Sequence, residues 1–308
     1  MNILNIFEFK KYIIIIYLMT CANLKAVYTF WSKPLLEGHS RLTRKRDFFL
    51  FFIYSVLWSR KWFKYIEINT DNFGENIFSK FNLSDVKINN HLDVLNDLDS
   101  FMFWAYPKLY SLSKQSEPFV HLDGDVFLLR KLKDDLFNSE TAFQCLEDYN
   151  YHNVYTPLLE KNKELRKDIV PYWKPDLGYA LNCGVMHFLD PKLFKRFHEN
   201  CYNSFIKTDQ EYIAKFKNFI NQTSRNFLSY CLLFEQYYLA SFLDSNKISS
   251  NLIFSSEDIQ IELNGELAMQ GYIHLIEDKN NPEILKNIDK RFSIEFPEEY
   301  FILKNLNL

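Results

Sequence analysis

From Lys25 onward, short apolar runs alternate with longer segments that are apolar on one face or all round. Short runs rich in β-branched and aromatic residues predict strands, and apolar positions recurring at helical spacing predict helices. "KAVYTFW" (25–31) predicts a strand, and Asp47 to Phe63 a helix so uniformly apolar that it belongs in a core. "KYIEINTD" (64–71) is a second strand, 72–81 a short helix and "DVKIN" (85–89) a third strand. A helix over 97–114 is expected to kink or break at Pro107. "PFVHLDGDVFLL" (118–129) predicts one strand running into an acidic pair, and "TAFQCLE" (141–147) another strand.

The second half opens with the charged segment 160–167 and the loop "VPYWKPDLGY" (170–179). "ALNCGVMHFLDP" (180–191) predicts strand, turn and strand. Helices are expected over 191–206, 209–219 and 225–243, then late strands in "NLIFS" and "GYIHLIE" before a polar tail. Strands alternating with helices imply an α/β sheet whose ligands bind beyond the carboxyl ends of the strands. The simplest division is an apolar extension, 1–24, followed by one α/β domain, 25–308, with a helical addition.

Composition narrows the function classes. A net charge of −3 argues against a non-specific nucleic-acid binder. The local exception is "RLTRKR" (41–46), which is either a solvated helix start or a contact surface for phosphate or membrane. Cys21, Cys145, Cys183, Cys201 and Cys231 are widely spaced with no CxxC, so neither a disulfide framework nor a zinc site is indicated. Reduced thiols fit a cytoplasmic protein. The uncharged run Tyr12–Leu24 is too short to span a bilayer. It is a signal-like core, a non-essential extension, or sequence upstream of a true start at Met19; the expectation is a cytoplasmic protein, peripheral to the inner membrane at most.

The chemistry concentrates in "FVHLDGDVFL". Asp123 and Asp125 flank Gly124 within apolar sequence, where two ionised carboxylates are costly to bury. Alternation along a strand aims both at one point, and a hard divalent cation, Mg²⁺ or Mn²⁺, offsets their charge while bridging phosphate oxygens. Gly124 leaves room for a ligand to approach the backbone. The bland alternative is a turn with solvated aspartates.

This run resembles the DxD strand of nucleotide-sugar-dependent glycosyltransferases with the GT-A fold. Two further segments follow in order: "LNCGVMHF" (181–188) resembles the N-x-G turn of glycogenin-like and lipopolysaccharide-galactosyltransferase-like enzymes, and "GYIHLIEDKNNP" (271–282) their late H-x-x-G-x-x-K-P segment. "AVYTFWSKP" and the DGD strand also look like a group of bacterial glycosyltransferase-like proteins. The resemblance implies a GT-A-type mixed central sheet flanked by helices, with a helical C-terminal addition. It implies a metal held by Asp123, Asp125 and His274, with Lys279 facing the donor diphosphate. Glu277 stands where that pattern has glycine, and Lys279 comes one residue early. Further donor-side residues are Thr29, Asp71, Lys108 and Gly124; Asp71 is alternatively a helix cap and Lys108 a solvated lysine. Asn182, Gly184, Glu235 and Gln236 are assigned to the acceptor side, Glu235 also to catalysis. His121 shares a face with Asp123, either supporting it or packing.

The function expected is transfer of a sugar, hexosyl in type, from a nucleoside-diphosphate-sugar to a glycan or glycolipid acceptor, with no nucleic-acid partner. Two alternatives belong to other classes. One is a nucleotide-sugar-binding protein without turnover. The other is a haloacid-dehalogenase-type phosphatase, whose acidic motif sits on a first strand and wants Thr or Val where this chain has Phe127.

Overall fold

The computed structural model describes residues 23–38, 44–147, 154–160, 170–207, 228–254, 271–275 and 278–308. The extension before residue 23, the helix expected over 209–219, most of the charged segment 160–167 and Glu277 lie outside the described residues. Strands β1 (Lys25–Phe30), β2 (Tyr65–Thr70) and β3 (Val86–Asn90) alternate with helices α1 (Lys45–Ser59) and α2 (Asn72–Phe78). After α3 (Tyr106–Ser113) come β4 (Phe119–Leu122), β5 (Val126–Leu128) and β6 (Thr141–Phe143). Then follow β7 (Val185–Phe188), α4 (Pro191–Cys201), α5 (Leu228–Leu232), α6 (Tyr238–Ser245), β8 (Ser250–Leu252) and β9 (Tyr272–His274).

Among the described residues, seven strands form a central sheet in the order β3-β2-β1-β4-β7-β6-β8. Only β7 runs against the rest, pairing antiparallel with both β4 and β6. The chain steps outward from β1 through β2 to β3, then returns to place β4 on β1's other flank. That reversal of direction opens a crevice at the carboxyl ends of β1 and β4, where ligands bind in open α/β sheets. Both faces of the sheet are covered. Val27 and Phe119 face a core completed by α3, α4 and α6, while Ala26, Tyr28 and Val120 face one built on α1.

Three expectations differ from the structure. The stretch 97–105 forms turns, and Pro107 lies in the first turn of α3 rather than kinking a longer helix. Its missing N–H costs nothing at a helix start. "PFVHLDGDVFLL" is two strands in two sheets: β4 belongs to the central sheet, and β5 pairs with β9 in a separate ladder. In "ALNCGVMHFLDP" only Val185–Phe188 is a strand, Leu181 making an isolated bridge to Leu146. The helical addition expected at the C-terminal end is present in the polar tail, as α7 (Pro282–Glu295) and α8 (Pro297–Lys304). Asn281 caps α7 and prolines open both, so the polarity is that of helices burying one stripe, Ile288 and Phe292 in α7. Among the described residues, no helix is long and apolar enough to cross a membrane.

Candidate metal centre

The acidic pair lies where the chain leaves one sheet for the other. β4 stops at Leu122, but the Asp123 N–H still donates to the Gly184 carbonyl (2.9 Å), one step beyond the β4–β7 ladder. The Val126 N–H then donates to the Asp123 carbonyl (3.0 Å), closing a turn that sends the chain into β5. β5 pairs Val126 with His274 on β9, and the Leu275 N–H donates to the Asp125 carbonyl (3.2 Å). Strand pairing therefore delivers a residue about 150 positions downstream onto the acidic turn.

Asp123, Asp125 and His274 each offer one ligand atom, and these atoms all lie within 4.8 Å of one another. His274 Nε2 is 3.7 Å from Asp125 Oδ1. The Nδ1 side of the ring donates to Gln144 Oε1 (2.7 Å), which also accepts the Tyr272 hydroxyl (2.8 Å). Fixing the proton on Nδ1 leaves the Nε2 lone pair facing the aspartates. Burial pushes the His274 imidazole below the usual range, against the pull of both aspartates, so the ring is neutral near pH 7. Two hard carboxylates and one neutral imidazole suit a divalent ion such as Mn²⁺ or Mg²⁺, so the residues present fit the group.

Each aspartate also carries a cation. Asp123 Oδ1 accepts from Lys108 Nζ (2.6 Å) and His121 Nε2 (3.0 Å). Burial would raise the Asp123 carboxyl, but the Lys108 charge and the His121 hydrogen bond outweigh it and hold the group well below the usual carboxylate range. Lys108 Nζ also reaches Glu235 Oε1 (2.5 Å) and the Cys183 carbonyl (3.3 Å). Burial would lower that ammonium, yet Asp123 and Glu235 hold it well above the ordinary lysine range. Glu235 is 2% exposed and lies in a π-helical turn, Leu233–Tyr237, between α5 and α6. On the other side, Lys279 Nζ contacts Asp125 Oδ2 from the short turn Asp278–Asn280.

Most of the remaining sequence-assigned residues make structural contacts. Asp71 caps α2: one oxygen accepts the Gly74 N–H (2.9 Å), the other the Ser32 N–H and hydroxyl (both 2.7 Å). At Gly124 the room read from the sequence for a ligand is taken by α1, because a β-carbon there would lie 2.4 Å from Phe52 Cδ2. Gly184 lies beneath the metal centre; a β-carbon would meet His274 Cε1 at 2.5 Å and Gln144 Oε1 at 2.6 Å. The Asn182 amide shapes that turn, accepting the Gly184 N–H (2.9 Å) and donating to Glu147 (2.6 Å). Gln236 accepts the Tyr155 hydroxyl. Thr29 lies near the end of β1, its Oγ1 buried without a hydrogen-bond partner among the described residues.

Gln144 and Tyr272 were not among the residues read from the sequence. The signal for Gln144 was available, a lone amide in the apolar run "TAFQCLE".

A family model described as "Family of unknown function (DUF6734)" matches residues 24–306. No curated protein matches the chain. Among solved structures, 4-diphosphocytidyl-2C-methyl-D-erythritol synthase from Anaerococcus prevotii is similar at 17% identity over 64% of this chain and 83% of that one. The TM-score is 0.31, too low to carry any argument about activity.

Proposed function

The chain belongs to the DUF6734 family of unknown function, so its activity has to be read from the site, and we propose a metal-dependent glycosyltransferase of GT-A type. It moves a sugar from a nucleoside-diphosphate-sugar to a saccharide or lipid-linked acceptor. The observation that carries this reading is the convergence of Asp123, Asp125 and His274 at the carboxyl end of β4, beside the sheet's reversal point. A divalent ion held there supplies charge neutralisation for a departing diphosphate.

The chain's own residues divide the other tasks. Lys108, held by Asp123 and Glu235, keeps a fixed positive charge at the floor of the crevice. Lys279 pairs with Asp125 alone among the described carboxylates, which leaves its ammonium free to move to a phosphate oxygen. Thr29 Oγ1 and Trp31 Nε1, both buried and unpartnered among the described residues at the end of β1, suit a nucleoside laid across the strand ends. Glu235 faces the acceptor side in this reading. Holding two substrates in register supplies much of the acceleration asked of such a site.

The position of the acidic pair, after the fourth strand in chain order, disfavours the dehalogenase-type alternative. Nucleotide binding without turnover is favoured by one observation, that each aspartate already carries an ammonium. Release of nucleoside diphosphate from a panel of nucleotide sugars, with and without Mn²⁺, separates the readings. The transferase reading expects Mn²⁺-dependent release that Asp125→Asn abolishes. Binding without release across donors and acceptors supports the binding protein, and hydrolysis of simple phosphate esters supports the phosphatase.

A further inference from the structure

The basic stretch at the start of α1 has no part in the site above. Arg44, Arg46 and Asp47 there, with Asn280 from the turn before α7 and Lys286 and Asp289 within α7, line a cleft of about 520 Å³. Asn280 is the neighbour of Lys279, whose ammonium lies on Asp125, so the cleft adjoins the metal centre through one short turn.

The cleft's ion pairs leave donors over. Arg44 Nε is engaged by Asp47 Oδ2 at 2.6 Å, and Arg46 by Asp289, which also accepts the Tyr300 hydroxyl (2.8 Å). Arg46 Nε is nonetheless buried with no acceptor among the described residues, and leaving a buried donor unmatched is costly. The Arg44 side chain is 64% exposed and lines the cleft, and Lys286 has no ion pair among the described residues. Three cations stand against two carboxylates. Asp47 Oδ1, on a side chain only 2% exposed, has no hydrogen-bond donor among the described residues and lies 3.9 Å from Arg46 Nη1. Forked guanidinium donors match phosphate oxygens, and a spare carboxylate oxygen matches a hydroxyl beside them.

We propose that this cleft is an anion subsite for a phosphate group, and that it seats the phosphate end of a phosphorylated, hydroxyl-bearing acceptor next to the metal centre. The acceptor role rests on the transferase reading; the anion site does not. The phosphate comes from a soluble sugar phosphate or from a lipid headgroup, the same chemistry at this cleft.

Pyrophosphate titrated calorimetrically into the full chain in metal-stripped buffer tests the site. One saturable site is expected, weakened at least tenfold in Arg44→Ala/Lys286→Ala; because Arg44 also pairs with the buried Asp47, the exposed single change Lys286→Ala is the second variant, and it should weaken binding without altering the thermal melt. Sedimentation with phosphatidylcholine vesicles, with and without phosphatidylglycerol, identifies the source. Co-sedimentation only with the anionic vesicles, lost in the double variant, points to a lipid headgroup. The proposal is overturned if the double variant behaves as wild type towards both probes. It is equally overturned if pyrophosphate binding is lost in Lys279→Met and kept in the double variant, because the anion then binds at the metal centre. Failure of wild type to turn over any donor would remove the acceptor role and leave the pyrophosphate result standing.

Discussion

At the scale of single residues, the proposed metal centre depends on groups outside the three that converge, Asp123, Asp125 and His274. Gln144 Oε1 accepts from both His274 Nδ1 and Tyr272, and so sets the tautomer that exposes Nε2. Gln144→Leu is expected to lower Mn²⁺ affinity about tenfold or more, a typical cost for losing such a partner, while the chain stays folded. A Mn²⁺ titration alongside a thermal melt checks it; unchanged affinity would mean that packing alone orients His274. Lys108 makes a sharper case. It is the ion-pair partner of Glu235, whose side chain is 2% exposed. Lys108→Met removes the ammonium from that carboxylate, and breaking one side of a buried pair costs about 3–5 kcal/mol. Urea denaturation reads the loss, and Lys108→Met/Glu235→Leu should recover most of it, since a packed apolar pair replaces a buried ionic one at little cost.

At the scale of elements, the acidic turn works because it joins two ladders. Apolar residues on both sides of Asp-Gly-Asp are compatible with one strand or with two, so the pattern predicts a through-going strand. What decides it is tertiary: β9 arrives to pair with β5, and Phe52 of α1 fills the space beside Gly124. The cluster of Asp123, Asp125 and His274 was legible because carboxylates within apolar sequence and a late strand histidine stand out from their surroundings. The supporting shell was less legible, because an amide or tyrosine in a strand is ordinary until its partner is known. Asp71 was ambiguous for a related reason, since a carboxylate after a strand and before a helix serves as ligand or cap with the same spelling. The turn carrying Lys279 adds a prediction. An ammonium on Asp125 and a divalent ion on the same carboxylate repel by several kcal/mol at about 4 Å, even with an effective dielectric near 20. Lys279→Met should therefore bind Mn²⁺ alone at least tenfold more tightly than wild type, and a nucleoside diphosphate more weakly. Equal Mn²⁺ affinity would show that Lys279 does not compete for Asp125.

At the scale of the molecule, the alternation of strands and helices made the α/β class readable, and the strand order set the crevice that the carboxylates occupy. The single reversed strand could not be read, because β7 is buried on both faces and looks like its parallel neighbours. β7 also carries a group that ties stability to pH. His187 is fully buried, with Nδ1 on the Phe119 carbonyl (2.9 Å), and burial pushes its imidazole down to about 4. The unfolded chain titrates near 6.5, so it binds more protons than the folded chain between those values. The contribution is complete above about pH 6.5, falls as pH drops towards 4, and amounts to about 2 kcal/mol between pH 8 and pH 5. His187→Gln should remove that share of the slope in urea denaturation run across this range; an unaltered slope would place the proton uptake elsewhere.

The central claim is that Asp123, Asp125 and His274 hold a divalent ion that engages a nucleoside diphosphate. Its most direct test is Mn²⁺ binding followed by electron paramagnetic resonance, with and without nucleoside diphosphate, in wild type, Asp125→Asn and His274→Ala. One Mn²⁺ per chain, bound more tightly when the nucleotide is present and lost in both variants, is the predicted result. Nucleotide binding that is indifferent to Mn²⁺ and unchanged in both variants would contradict it.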